Sequence, residues 1–200
     1  CFGVDEQGER FFADGWGPIL GDEGSGYWIG QQALKAVCRD ADGRGPSTRI
    51  AAPIFNELRV NDCDALVQLV YSPRFERERM ARIAQIVFDS AQVGSQVAIG
   101  IRDRAAAHLC NTVMAVTRAM LTRAKERAAP DQPQPVEIGV ALRGGLMEDD
   151  GFRAAVGFAI GEALVELKRD YWPLASWRIV KPQYEAAIGA ALLAQKLVCN

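Results

Sequence analysis

Gly15-Trp16-Gly17-Pro18-Ile19-Leu20-Gly21-Asp22-Glu23-Gly24-Ser25-Gly26-Tyr27-Trp28-Ile29-Gly30 falls into two halves of opposite character. Residues 15–24 are too rich in Gly and Pro for a regular element. From Ser25 onward, Ile29, Ala33, Leu34 and Val37 recur at helical spacing, with Ser25 placed to cap the helix. The run Gly21-Asp22-Glu23-Gly24-Ser25 thus presents two carboxylates at a helix entry. A phosphate would be repelled there, since like charges repel. A neutral polyol suits the run better, because an ionised carboxylate accepts hydrogen bonds from two sugar hydroxyls. Trp16 offers an apolar face for a sugar ring. A capped helix start with no ligand would use the same residues, so local reasoning leaves both readings open.

Upstream, Cys1 to Val4 reads as a short strand, Asp5-Glu6-Gln7-Gly8 as turn chemistry, and Arg10-Phe11-Phe12-Ala13 as a second strand. Cys1-Phe2-Gly3-Val4-Asp5 reads as the middle of a strand, and the chain is expected to be a piece of something longer. Downstream, residues 39–48 form a polar, Gly-rich loop. From Ile50 to about Arg123 the period is helical, with one stripe at Met80, Ile83, Ala84, Val87 and Ala91. A longer stripe follows at Val97, Ile101, Ala105, Leu109, Val113, Val116 and Met120. Amphipathic helices bury such faces, so these stripes are expected in the core.

Pro130, Pro133 and Pro135 end the helical block. The period then changes to two over Val136, Ile138, Val140 and Leu142, a strand signal. Arg143-Gly144-Gly145 breaks that strand. A helix is expected from about Asp150 to Arg169, with Phe152, Val156, Ala159, Ile160, Ala163, Leu164 and Leu167 inward. A strand over Trp177–Val180 and a helix over Tyr184–Val198 follow. Strand–helix–strand–helix predicts an α/β sheet with parallel pairing. Gly144-Gly145 then lies at the carboxyl end of a strand, where open α/β sheets place ligands. The missing side chains permit close approach of a nucleotide, but a turn needing positive φ reads the same way.

Composition narrows the function classes. The 200 residues are 49% hydrophobic and 24% charged with net charge -2, ordinary for a soluble globular chain. Acidic and basic residues interleave, which argues against a nucleic-acid surface. No apolar stretch reaches the roughly 20 residues of a membrane span, and a cytoplasmic protein is expected. The five cysteines, Cys1, Cys38, Cys63, Cys110 and Cys199, fit neither a disulfide framework nor a zinc site. His108 is the only histidine and has no catalytic partner in its helical pattern. No protein metal site is assigned; any such site would use oxygen ligands.

The stretch Gly15–Gly30 closely resembles the signature of the N-acetylglucosamine kinases and the related BadF/BadG-type ATPases, in the superfamily of actin and the hexokinases. The turn from Leu142 to Asp149 looks like the family's adenosine-contacting turn, and Ile188-Gly189-Ala190-Ala191-Leu192-Leu193-Ala194 resembles its closing helix. The resemblance implies an α/β, RNase H-like (actin-like ATPase) lobe. It has a mixed sheet, flanking helices and a helical insertion at about residues 47–128. The whole of 1–200 would be the carboxyl-terminal lobe of a two-lobe kinase whose amino-terminal lobe is missing. Carried over residue by residue, Gly15, Trp16, Gly17 and Asp22 bind the sugar. Gly144, Gly145, Asp149 and Ala105 contact the nucleotide, although Asp149 differs in type from the kinases.

The family's phosphate-binding turns and catalytic aspartate match no residue here, so no catalytic residue is assigned and the lobe alone is expected to be inactive. ATP and Mg2+ are the implied cofactors. The expected activity is phosphorylation of an amino sugar, most simply N-acetylglucosamine, to its 6-phosphate. A nucleotide-driven activator ATPase and a non-catalytic sugar or nucleotide sensor are the alternatives within the superfamily. Nucleic acid and membrane are not expected as partners; a homodimer is compatible with the sequence, being the commonest assembly of soluble enzymes.

Overall fold

The computed structural model describes residues 1–128, 135–170 and 174–181, and its first long helix begins where Ser25 predicts. Helix α1 spans Gly26–Ala41, and the Ser25 hydroxyl accepts a hydrogen bond from the Trp28 amide at 3.2 Å. Ile29, Ala33, Leu34 and Val37 are its buried face, as their spacing predicts. Gly30 is buried with them for another reason. A Cβ there would lie 2.0 Å from the Met80 carbonyl oxygen, and one on Gly26 would lie 3.3 Å from Ala81. Two small residues one turn apart therefore let α1 press backbone to backbone against α4, Arg77–Gln92.

Between these helices lie α2, Ala51–Leu58, and α3, Cys63–Val70, the latter capped by Asp62 through the Ala65 amide at 2.8 Å. Helix α4 ends in a Schellman turn: Gly94 has φ 84, its amide donates to Ala91, and the Ser95 amide donates to Ser90. The chain reverses into α5, Gln96–Arg127, a 32-residue helix about 48 Å long.

The burial of α5 differs from the single stripe expected. Ile101, Ala105 and Val116 are buried, but Val97, Leu109, Val113 and Met120 are only half-buried. The deeper line runs through Ala98, Ala106, Cys110, Met114, Thr117 and Leu121. The reason is that α5 is covered on more than one side, by α1 and α4 on one flank and by α6, Asp150–Asp170, on another. Cys110 marks the second flank, donating from Sγ to the Ala159 carbonyl at 3.3 Å; burial raises its thiol pKa. Its core role suits a small hydrophobe.

Strand β3, Val136–Ala141, runs parallel to β4, Leu174–Val180, with α6 as the crossover between them. Phe152, Val156, Ile160, Leu164 and Leu167 of α6 face the core, and Phe152 stacks on Phe88 of α4 at 4.8 Å. The hairpin of β1, Phe2–Val4, and β2, Arg10–Phe12, is antiparallel and ends one residue short of the Ala13 expected. It lies on α5 so closely that a Cβ on Gly3 would meet Val116 at 2.6 Å. The mixed sheet expected as one body is, among the described residues, two separate two-stranded sheets, one antiparallel and one parallel. Pro130, Pro133 and the helix expected over Tyr184–Val198 lie outside the described residues. Among the described residues no helix is long and apolar enough to cross a membrane.

The hairpin is tied to the end of α5 by charge. Arg127 pairs with Asp5 at 2.6 Å and with Glu9, and Arg123 pairs with Glu9 at 2.8 Å. Burial disfavours ionised Asp5, but the Glu9 amide, the Arg127 guanidinium and the Gln7 amide outweigh it and lower the carboxyl pKa. A lowered pKa contributes stability above the unfolded value, about 3.9, and loses it as pH falls through the folded value. Asp5→Asn is therefore expected to lower the melting temperature at pH 7. The difference from wild type should shrink below about pH 4, as thermal melts across pH will show.

Candidate functional site

The glycines of the Trp16 loop allow a path that few residues could follow. Gly15, Gly17 and Gly24 have φ of 88, 86 and 84, and Asp14 and Asp22 adopt φ of 63 and 58. Aspartate is among the few non-glycine residues that tolerate this region. Asp14 closes the loop by accepting the Asp22 amide at Oδ1, 2.9 Å away. Gly21 makes room for that bond, since a Cβ there would stand 2.2 Å from the same oxygen. The Gly21 amide donates to Gly17 at 2.8 Å, and the Ser25 amide donates to Asp22 at 3.0 Å. Beneath the loop, Gly24 rests on α5, where its Cβ would lie 2.7 Å from the Ala105 carbonyl.

This backbone network leaves the Asp22 carboxylate available. Its side chain is 27% exposed, and among the described residues it pairs with Arg77 of α4, at 3.9 Å. Arg77 in turn lies over the Tyr27 ring, 5.7 Å from its centroid. Trp16 is 75% exposed, Ile19 92% and Leu20 78%, so an apolar ridge stands beside the acid. An accepting carboxylate and an exposed indole in one loop can take a hydroxyl donor and cover an apolar face. His108 instead packs edge-on against Trp28 at 5.0 Å.

The second region is a cleft of about 880 Å³ at the carboxyl ends of β3 and β4, lined among others by Leu142, Gly144, Gly145, Gly157, Ile179 and Lys181. Gly144 has φ 121 and ψ 162, a conformation closed to residues with a Cβ. A Cβ on Gly144 or Gly145 would meet nothing within 4 Å, so both glycines open onto free space. A flat ring can approach this backbone. Gly144→Val is expected to strain the turn and, if the turn receives the nucleotide as the family resemblance implies, to weaken nucleotide binding roughly tenfold or more. Fluorescent-nucleotide titration in the full-length protein checks it.

Asp149 stands at the end of the Gly144 turn and is engaged by the backbone. Its Oδ1 accepts the Phe152 amide at 2.7 Å and its carbonyl accepts the Arg153 amide at 2.9 Å, which makes it the cap of α6. Its other oxygen accepts from Gln92 Nε2 at 3.5 Å, joining the turn to the end of α4. Asp149→Ala should cost about 1 kcal/mol as a lost cap and Asp149→Ser much less, measurable by urea unfolding. Ala105, expected at the adenine, is fully buried under the Asp22 loop and does not line the Gly144 cleft.

The structure thus unites Gly15, Trp16, Gly17 and Asp22 in one loop, and Gly144, Gly145 and Asp149 in one turn. Helix α4 holds both, through Arg77 at its start and Gln92 at its end, about 22 Å apart along the axis. Arg77 escaped sequence reasoning because it is distant in sequence, whereas Asp14 stood beside Gly15 as a turn-former. No group of three or more acidic, histidine or cysteine side chains able to hold a metal occurs among the described residues.

The chain is similar to several known proteins. An N-acetylmuramic acid/N-acetylglucosamine kinase of Clostridium acetobutylicum is 31% identical over 126 residues, 63% of this chain and 41% of that protein. An N-acetyl-D-glucosamine kinase of Dictyostelium discoideum is 28% identical over 193 residues, 96% of this chain and 54% of that protein. The chain therefore spans about half the length of these relatives. A crystal structure from Chromobacterium violaceum, provisionally an N-acetylglucosamine kinase, superposes with a TM-score of 0.62 at 25% identity. That match covers 95% of this chain and 54% of that one. With residues 1–194 matching its family pattern, the chain belongs to the BadF/BadG/BcrA/BcrD ATPase family.

Proposed function

We propose that the chain is the carboxyl-terminal lobe of an ATP-dependent kinase that phosphorylates an amino sugar, N-acetylglucosamine first, at its 6-hydroxyl. The observation that carries this reading is the Asp22 carboxylate, held on a left-handed backbone beside exposed Trp16 and free to accept from sugar hydroxyls. The names of the relatives support the same substrate class.

In the two-lobe reading the hairpin and the parallel pair belong to the same lobe. Val4 of β1 and Val136 of β3 both line one cavity of about 380 Å³, together with Met120 and Ala124 of α5. In this arrangement the residues here bind and orient, while the phosphoryl-transfer groups belong to the other lobe. Asp22 fixes the sugar, Trp16 covers a ring face, and the Gly144 turn receives adenosine. ATP when bound supplies the phosphoryl group. No residue of this chain is assigned to magnesium. Closure of the two lobes would exclude water and limit wasteful hydrolysis.

The test is ADP release by the full-length protein with ATP, magnesium and N-acetylglucosamine, glucosamine or glucose. Stimulation by one amino sugar establishes the kinase and names its substrate. Slow hydrolysis that no sugar stimulates sinks the proposal in favour of an activator ATPase or a sensor.

A further inference from the structure

Away from the Asp22 loop and the Gly144 cleft, a concavity of about 590 Å³ opens where the end of α1, the loop before α2 and the first turns of α5 meet. Arg39, Arg49 and Arg104 line it from these three segments, and no carboxylate does. The acids of the neighbouring loop are engaged elsewhere. Asp42 pairs with Arg44 at 2.6 Å, with Arg39 attracting it only at longer range, and Asp40 accepts the Thr48 amide at 2.7 Å. Among the described residues none of the three lining arginines forms a salt bridge. Three guanidiniums around one hollow whose lining holds no carboxylate favour an anion between them.

The start of α5 adds a second, independent feature. Ser95 is 7% exposed as a residue and lines the concavity; its hydroxyl makes no hydrogen bond among the described residues, is not sealed from solvent, and does not cap the helix. The first turn of α5 carries no acidic side chain either. The leading amides of a 32-residue helix therefore lack a side-chain acceptor, and helix starts of this kind attract anions. Arg104 lies back along the helix, its Nη1 3.4 Å from where a Gly100 Cβ would be, and both residues line the hollow.

We propose that this concavity is a second anion site, which binds a small phosphate-bearing ligand through Arg39, Arg49, Arg104, the Ser95 hydroxyl and the first amides of α5. Phosphate fits better than carboxylate because three terminal oxygens can use more of these donors than two. The site lies on segments that form neither the Asp22 loop nor the Gly144 turn, so a ligand here acts as an effector rather than as a reactant.

The test titrates inorganic phosphate and N-acetylglucosamine 6-phosphate calorimetrically, at constant ionic strength, into the full-length protein and its Arg49→Gln and Arg104→Gln variants. Both arginines are exposed and free of salt bridges among the described residues, so the variants should keep the wild-type melting temperature. Saturable binding of at least one probe, weakened roughly tenfold or more by either substitution, is expected. Tighter binding of the sugar phosphate would identify a phosphorylated metabolite as the source, and equal binding would identify free phosphate. Absence of saturable binding for both probes, or binding that both variants retain, overturns the proposal.

Discussion

Asp22→Asn in the full-length protein is expected to weaken N-acetylglucosamine binding roughly 100-fold while leaving ATP binding unchanged. The carboxylate can take two hydroxyl donors, whereas the asparagine amide offers one oxygen and turns a donor toward the second. Hydrogen bonds to a charged group contribute about 1.5–3 kcal/mol each, so losing one and opposing another accounts for the size of the effect. Asparagine also accepts left-handed backbone, so φ 58 at this position carries no new strain. The bonds that shape the loop use the amide and carbonyl of residue 22, and these remain. Arg77 loses a partner 3.9 Å away, but its side chain is 64% exposed and such pairs contribute little. Calorimetric titration of sugar and of nucleotide separates the two affinities. Unchanged sugar affinity would remove Asp22 from the site; equal loss of both ligands would mean that the loop had unfolded.

The second large effect is structural. Gly30→Val is expected to destabilise the protein by about 3 kcal/mol or more, because overpacking a tight contact forces backbone apart. The obstacle is a carbonyl oxygen, 2.0 Å from the new Cβ, rather than the movable end of a side chain. Gly30→Ala separates two opposing effects. Alanine gains about 1 kcal/mol of helix propensity over glycine, yet it meets the same oxygen. A net loss of stability in urea unfolding is still expected for Gly30→Ala. A gain would mean that α1 and α4 can separate freely. Because α1 starts at the Ser25 cap that ends the Asp22 loop, while α4 carries Arg77, both variants should also weaken sugar binding if that loop holds the sugar as proposed.

Several features were legible from the sequence because their causes are local. The Ser25 cap, the Ile29–Val37 face and the inward line of α6 follow from hydrogen-bonding groups and spacing within one helix. The parallel pairing of β3 with β4 followed from the strand–helix–strand order. That residues 15–24 form no regular element was legible too, because they are rich in Gly and Pro.

Other features depend on which surfaces meet, and a linear pattern does not record that. The glycine at position 30 reads as a weak helix former until Met80 is seen across the crossing. Asp149 gives no sign in the sequence of its bond to the end of α4, where Gln92 reaches its carboxylate. Ala105 lies on the expected helix, but that helix is covered by neighbours on more than one side, which buries it beneath Gly24. The three arginines around the start of α5 come from separate segments, and only packing gathers them into one hollow. Sequence alone determined where the main helices and strands lie and which residues the Gly15–Gly30 stretch offers, because these rest on short-range hydrogen bonds and periodic burial. Tertiary structure decided which side chains face ligand, neighbour or solvent, because contacts between distant segments set burial and charge balance.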